Sequence, residues 1–203
     1  MRRIRQTFNA RRLDARTRIA MPTNHPDPLR THLSALPKVA PPKPWRRSTI
    51  MAVGGLRAIG FDRDSELLLI VSASGRGVVD CRSGERIARD AEDYWEDEQF
   101  LEAAGIGPLA GKTLRVAGLT GGGLSLCTAD GWSIELATLD WPATEILLLE
   151  PGADLYTPLT DKPLAVHKLH TELALRACGF SYSGESFAVA TSSDVAIYTR
   201  YAG

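Results

Sequence analysis

The chain has 203 residues, of which 44% are hydrophobic, and its 24 Lys and Arg residues balance 24 Asp and Glu residues. This length suits one domain with an appendage. No apolar run approaches the roughly 18 residues of a membrane-spanning helix, and the N-terminus lacks the apolar block of a secretory signal, so we expect neither feature.

The charge is distributed unevenly about residue 50. Residues 1–50 contain twelve of the 24 basic residues but only two of the 24 acidic ones, Asp14 and Asp27, which leaves 12 basic and 22 acidic residues in the rest. The same segment has seven of the 12 prolines, and proline removes a backbone donor and restrains its predecessor. We therefore predict a basic, largely disordered arm over 1–50 and an acidic β-rich domain over 51–203.

Three interpretations of the arm stay open. In the first, translation is assigned too early, and Met21 or Met51 is the true start rather than Met1. Alternatively, the arm attaches to nucleic acid or another polyanion by counterion release, with Phe8 and Trp45 as the aromatic residues near its basic groups. It also has the arginine content of an organelle-targeting peptide, although its few serines count against that interpretation.

A short motif, Leu-Arg-x-x-Gly followed by a large apolar residue, begins at residues 56, 114 and 175. Each copy continues with a polar turn, an apolar strand, a second turn and a third strand, which is the spacing of β-hairpins. A fourth strand is plausible after the first two copies and missing after the third. The sequence thus predicts a mainly β fold of repeated antiparallel three- or four-stranded units, with one or two short helices.

The motif residues are expected to have a structural role. They are Leu56, Gly60, Phe61, Leu114, Gly118, Leu119, Leu175, Gly179 and Phe180. Because side chains alternate between the faces of a strand, one face of each opening strand becomes small at its glycine. We expect another backbone or sheet to approach closely at these glycines.

The first copy, "LRAIGFDRDSELLLIVSASGRGVVDCRSGE", resembles a blade of the Trp-Asp repeat β-propellers, and "FSYSGE" in the third copy matches its first turn. No Trp-Asp pair ends the third strand of either copy. A propeller uses at least about four blades, and three units are visible. The resemblance therefore implies a propeller-like arrangement completed by another chain, with a compact β-barrel or a sandwich as the alternatives.

The acidic segment between the first two copies, "DAEDYWEDEQFLEAAGIGP", predicts a helix over 91–104 that begins with acidic residues and ends at "GIGP". Tyr94 or Trp95, with Leu101, would form its apolar side. The alternative is a binding surface for a basic partner, formed by Glu92, Asp93, Glu96, Asp97 and Glu98. Arg76, at the tip of the predicted turn "SASGRG", is a further candidate contact for an anion.

Few residues point to catalysis or metal binding. His167 and His170 would share one side of a helix and form half of a metal site, with Asp161 or Glu172 near in sequence. Two surface histidines on a short helix or loop are the simpler interpretation, so we expect no metal and no cofactor. Cys81, Cys127 and Cys178 are widely spaced, which favours buried thiols in a reducing, cytoplasmic setting.

These features predict a non-catalytic binding module whose acidic surface meets a protein partner, for example as an inhibitor of a basic toxin or nuclease. One alternative is an enzyme or metal-binding protein that uses His167 and His170. Another is nucleic-acid attachment through the basic arm. No Gly-x-Ser-x-Gly elbow supports a serine hydrolase.

Overall fold

The computed structural model describes residues 27–155 and 165–201, and their fold is mainly β, as predicted. Neither helix in these two ranges has the length and apolar character needed to span a membrane. The helices are α1, Pro28–Ala35, and a 3-10 helix, Gly107–Leu109. The strands are β1 Arg46–Ala52, β2 Leu56–Phe61, β3 Leu67–Ser72, β4 Gly75–Asp80, β5 Arg86–Arg89, β6 Glu102–Ala104, β7 Thr113–Arg115, β8 Ala117–Gly118, β9 Ser133–Asp140, β10 Ala143–Leu149, β11 Val166–Glu172, β12 Leu175–Phe180, β13 Ser186–Thr191 and β14 Asp194–Thr199.

Strands β2 to β5 form an antiparallel meander, and β8 pairs with the other edge of β2. The apolar run of β3 lies between β2 and β4 and is buried along almost its whole length, as expected for a central strand covered on both faces. A tight turn joins β3 to β4. Gly75 begins β4 with a φ of 101°, a conformation that glycine adopts without strain, and a Cβ there would lie 2.6 Å from the carbonyl oxygen of Asp90.

Strands β12, β13 and β14 pair in the same register as β2, β3 and β4, displaced by 119 residues, as from Gly60 to Gly179. Gly60 faces Leu69 across the first hairpin, and Gly179 faces Ala188 across the second. Both hairpins also have an irregularity after their first pair. The two three-stranded arrangements therefore follow one hydrogen-bonding pattern.

The fourth strand of the second sheet comes from the N-terminal side of the chain. Strand β1 pairs with β14 as β5 pairs with β4: Thr49 lies opposite Ile197, and Ala88 lies opposite Val78. This position departs from the predicted boundary at residue 50, because most of β1 precedes Met51. Residues 1–26 of the predicted arm, where Phe8 and Met21 fall, lie outside the described residues, so nucleic-acid attachment stays a prediction.

The second predicted copy is not built like the first and third. Residues 124–129, expected to form its second strand, make only isolated bridges, such as Ser125 with Phe180. Strands β9, β10 and β11 instead form a separate three-stranded antiparallel sheet. Gly118 belongs to β8 and pairs with Ala58 at the edge of the first sheet.

The sheets stack face to face, and β13 is buried over all six residues because both of its faces are covered. One face packs through Ala188 and Ala190 on the first sheet, which contains β2–β5. The other face packs through Phe187 and Val189 on the third sheet, which is formed by β9–β11. Strands β6 and β7 cover the outer face of the first sheet, and α1 packs on the outer face of the third through Leu33. The segment between residue 27 and Met51 therefore contributes to the packed core, through Leu33 and through Trp45.

Neighbouring backbone lies close to each of the three motif glycines, Gly60, Gly118 and Gly179. In real structures a Cβ atom essentially never lies within 3.0 Å of a heavy atom of another, non-adjacent residue. A Cβ added at any of these three glycines would lie within that distance of a backbone carbonyl oxygen. The obstructing carbonyl oxygens belong to Arg115 for Gly60, Arg57 for Gly118 and Ser125 for Gly179. The motif also contains six large apolar residues. Four of them are buried, Leu175 is half-buried and Leu119 is exposed.

Candidate functional site

The acidic segment after β5 is irregular, so the helix predicted over 91–104 is wrong. Residues 98–101 form a turn that leads into β6. The Asp97 carboxylate accepts hydrogen bonds from the backbone N–H groups of Gln99, at 2.9 Å, and Phe100, at 3.0 Å. Side-chain bonds of this kind offer the backbone an alternative to helical pairing.

Arg76 fixes the start of this segment. Its guanidinium donates to the Asp90 carboxylate, at 2.9 and 2.7 Å, and to the Ala104 carbonyl, at 3.0 Å. It also pairs with Glu92, at 3.1 Å, and lies 4.0 Å from the ring centroid of Tyr94. The prediction of an exposed arginine is wrong, since only 8% of Arg76 is accessible and its donors are engaged within the chain.

A second arginine holds the middle of the segment. Arg57 donates to the Tyr94 carbonyl at 3.1 Å, and its guanidinium carbon lies 3.3 Å from the ring centroid of Trp95 in a cation–π contact. Trp95 is nevertheless 58% exposed, and Phe100 is 62% exposed. Two large aromatic side chains are thus displayed on a segment that the first sheet holds in place.

The predicted partner-binding residues have different environments. Glu96 is buried, and no group in the described chain hydrogen-bonds its Oε2 atom. Glu92 and Asp97 are exposed but have the internal contacts given above. Asp93 and Glu98 are exposed and have no recorded partner among the described residues. Sequence reasoning offered Trp95 for the apolar side of the predicted helix, which its exposure contradicts, and did not single out Phe100. The available signal was the presence of large aromatic residues within an acidic run.

The two candidate histidines lie in β11 rather than in a helix or loop, and each contacts a different carboxylate. The contacts are His167 Nε2 to Glu150 Oε1 at 2.8 Å, His170 Nδ1 to Glu172 Oε1 at 3.0 Å, and His170 Nε2 to the Tyr198 hydroxyl at 2.5 Å. Within residues 27–155 and 165–201, no three His, Cys, Asp or Glu residues are grouped to hold a metal ion. Asp161 lies outside the described residues.

The three cysteines are unpaired. Burial, followed by the nearby carboxylates of Glu66 and Asp80, raises the pKa of the Cys81 thiol well above its usual range. Burial alone raises the pKa of Cys178 to about 12. Because the thiolate is the reactive form, neither environment favours a cysteine nucleophile, whereas Cys127 is exposed.

Comparison of the chain with protein-family models, with curated proteins and with solved structures finds no match.

Proposed function

We propose that the protein is a non-catalytic binding module that holds a basic segment of a protein partner on the acidic–aromatic surface, defined here as Asp93, Trp95, Glu98 and Phe100. The exposure of Trp95 and Phe100 is the observation that carries the proposal. Aromatic residues are enriched at protein interfaces and provide much of the binding free energy there.

Charge supports a basic partner. Within the described residues, no cation pairs with Asp93 or Glu98. The exposed Glu92 carboxylate pairs with Arg76, which it shares with Asp90. Residues 51–203 also have 22 acidic against 12 basic residues, which favours electrostatic steering of a cationic protein. A basic toxin or nuclease has the charge that such a surface would bind.

The contacts of Arg76 and Arg57 support binding by a pre-organised segment. They hold residues 90–95 against the first sheet before any partner arrives. Ordering a loop on association reduces affinity, so a segment that is already held loses less free energy when it binds.

The test begins with affinity capture by the full chain, followed by calorimetric titration of the purified partner. Trp95→Ala should weaken binding by about 10- to 100-fold, the effect of removing an interface hot spot. Trp141→Ala is the matched control, because Trp141 is an exposed tryptophan in the β9–β10 turn. Equal affinities for the two folded variants would refute the proposed surface.

We also infer that the sheet of β2–β5 and the sheet of β12–β14 with β1 are copies of one propeller-like unit. The shared register, displaced by 119 residues, supports a common unit. Strand β1 occupies the position that a fourth strand after β14 would take. The unpaired cysteines support a reducing, cytoplasmic location.

A further inference from the structure

A cavity of about 580 Å³ lies where the segment after α1 passes between two sheets. This segment is attached to β11 by the hydrogen bond from Val39 N to Lys168 O, at 2.9 Å, and then enters β1 beside β14. Val39, Pro41 and Leu169 form an apolar wall of the cavity. Its volume falls in the range of about 300–1,000 Å³ that is typical of small-molecule sites.

Lys38 and Arg47 place two cations at this cavity, and Arg46, the first residue of β1, also lines it. None of the recorded ion pairs of the described chain joins any of them to a carboxylate. The Arg46 guanidinium donates to the carbonyl of Arg82, at 3.2 Å, and lies on the opposite face of β1 from its neighbour Arg47. Guanidinium groups match the geometry of phosphate and carboxylate oxygens, and an anion would relieve the repulsion between Lys38 and Arg47.

A hydrogen-bonded pair, His170 and Tyr198, provides the polar wall. With His170 Nδ1–H donating to the Glu172 carboxylate, Nε2 accepts the Tyr198 hydroxyl proton. Burial is the main cause that raises the pKa of Tyr198 to about 12, so this hydroxyl stays neutral at physiological pH. The Tyr198 hydroxyl therefore presents a neutral polar group to the cavity, and the Glu172 carboxylate is held by the imidazole of His170.

Trp45 also lines the cavity. Its indole Nε1–H is buried and has no acceptor in the described part of the chain. Buried donors without an acceptor are uncommon in folded proteins. Because this donor has no accessible surface in the cavity, Trp45 lines the cavity with its ring rather than with its N–H group.

We propose that this cavity binds a phosphate monoester with an apolar ester group. The phosphate dianion lies against Lys38 and Arg47, and the apolar group lies against Val39, Pro41 and Leu169. The dianion matches a site with two cations better than a monoanion does, because each added charge pair contributes attraction. This ligand site lies apart from the acidic–aromatic surface and does not depend on the function proposed for it.

The probe is phenyl phosphate, titrated calorimetrically into the full chain, with inorganic phosphate, phenol and benzoate as comparison ligands. Phenyl phosphate should bind saturably and at least about tenfold more tightly than each of the other three, since only it supplies both the dianion and the apolar group. Arg47→Gln should weaken this binding by about 10- to 100-fold, the effect of losing a charge-assisted hydrogen bond.

Arg89→Gln is the matched control, because Arg89 is an exposed arginine in β5, which belongs to the five-stranded sheet. The affinity of this variant should equal that of the parent chain. Lys38→Gln provides a second variant outside every strand, for the case that Arg47→Gln perturbs β1, and it should also weaken binding. No saturable binding, equal binding of benzoate, or unchanged affinity in the folded Arg47→Gln and Lys38→Gln variants would overturn the proposal.

Discussion

Trp45 tests whether the residues before Met51 contribute to the folded core. The side chain is 3% exposed, and its ring centroid lies 5.0 Å from that of Phe187, 5.6 Å from that of Phe180 and 5.8 Å from that of Trp132. Replacing a buried tryptophan by alanine removes aromatic contacts and leaves a cavity, at a typical cost of about 3–5 kcal/mol. We expect Trp45→Ala to lower the free energy of unfolding by about 4 kcal/mol.

The measurement is urea unfolding followed by far-UV circular dichroism, because the substitution itself alters tryptophan fluorescence. With a denaturant slope of about 2 kcal/mol per molar urea, the midpoint should fall by about 2 M. Trp141→Ala is the control. Trp141 is 87% exposed, so its removal should change the free energy of unfolding by no more than about 0.5 kcal/mol.

The two variants separate the alternatives directly. If residues 27–50 were not packed on the domain, removing either tryptophan would have the same small effect on stability. The urea midpoints of both variants would then match that of the parent chain. Such a result would refute the inclusion of residues 27–50 in the core, together with the assignment of β1 as the fourth strand of its sheet.

Gly60→Ala should lower the free energy of unfolding by about 1–3 kcal/mol, because its Cβ would overlap a neighbouring backbone carbonyl, whereas Gly54→Ala, with nothing within 4 Å, should leave the thermal midpoint nearly unchanged. Burial opposes ionisation of Asp62, but hydrogen bonds from Lys112 and another side chain outweigh it and lower the pKa of this carboxyl. The ionised Asp62 carboxylate should contribute its full stabilisation above the ordinary pKa of 3.8, and this stabilisation should be lost as the pH falls through the lower pKa of the folded state. Urea unfolding at a series of acidic pH values should show that Lys112→Met reduces the dependence of stability on pH. An unchanged pH profile would contradict the role given to Lys112. In the folded protein, Cys127 alone among the three cysteines should react rapidly with a thiol reagent such as DTNB, whereas all three should react in urea. Rapid reaction of Cys81 or Cys178 in the folded state would contradict this prediction and show that the sheet around that thiol opens readily.

Local features of the sequence were sufficient to predict the mainly β fold. The apolar runs of β3 and β13 and the turns beside them have the spacing of hairpins, and both hairpins formed where expected. The motif also located Gly60 and Gly179, where neighbouring backbone leaves no room for a Cβ. These predictions succeeded because alternation, turn chemistry and residue size act over a few neighbouring residues.

The acidic segment shows where local reasoning failed. Its charge pattern is typical of a helix N-terminus, yet Arg57 and Arg76 bind it through groups on β2 and β4. These arginines are at least 14 residues away from their partners along the chain. Tertiary contacts of this kind override a helical preference worth only a few tenths of a kcal/mol per residue, about 0–0.7 kcal/mol.

The sequence by itself determined the hairpins of β2–β4 and β12–β14, their turns and the small residues at which backbones meet, since each depends on interactions within a short stretch. Only the tertiary structure decided that β1 completes the sheet of β14, that Trp95 is displayed and that Lys38, Arg47 and His170 surround one cavity. Those arrangements join residues more than one hundred positions apart, such as Thr49 and Ile197. Their pairing depends on which sheet faces remain to be covered, and that becomes defined only when the whole chain has packed.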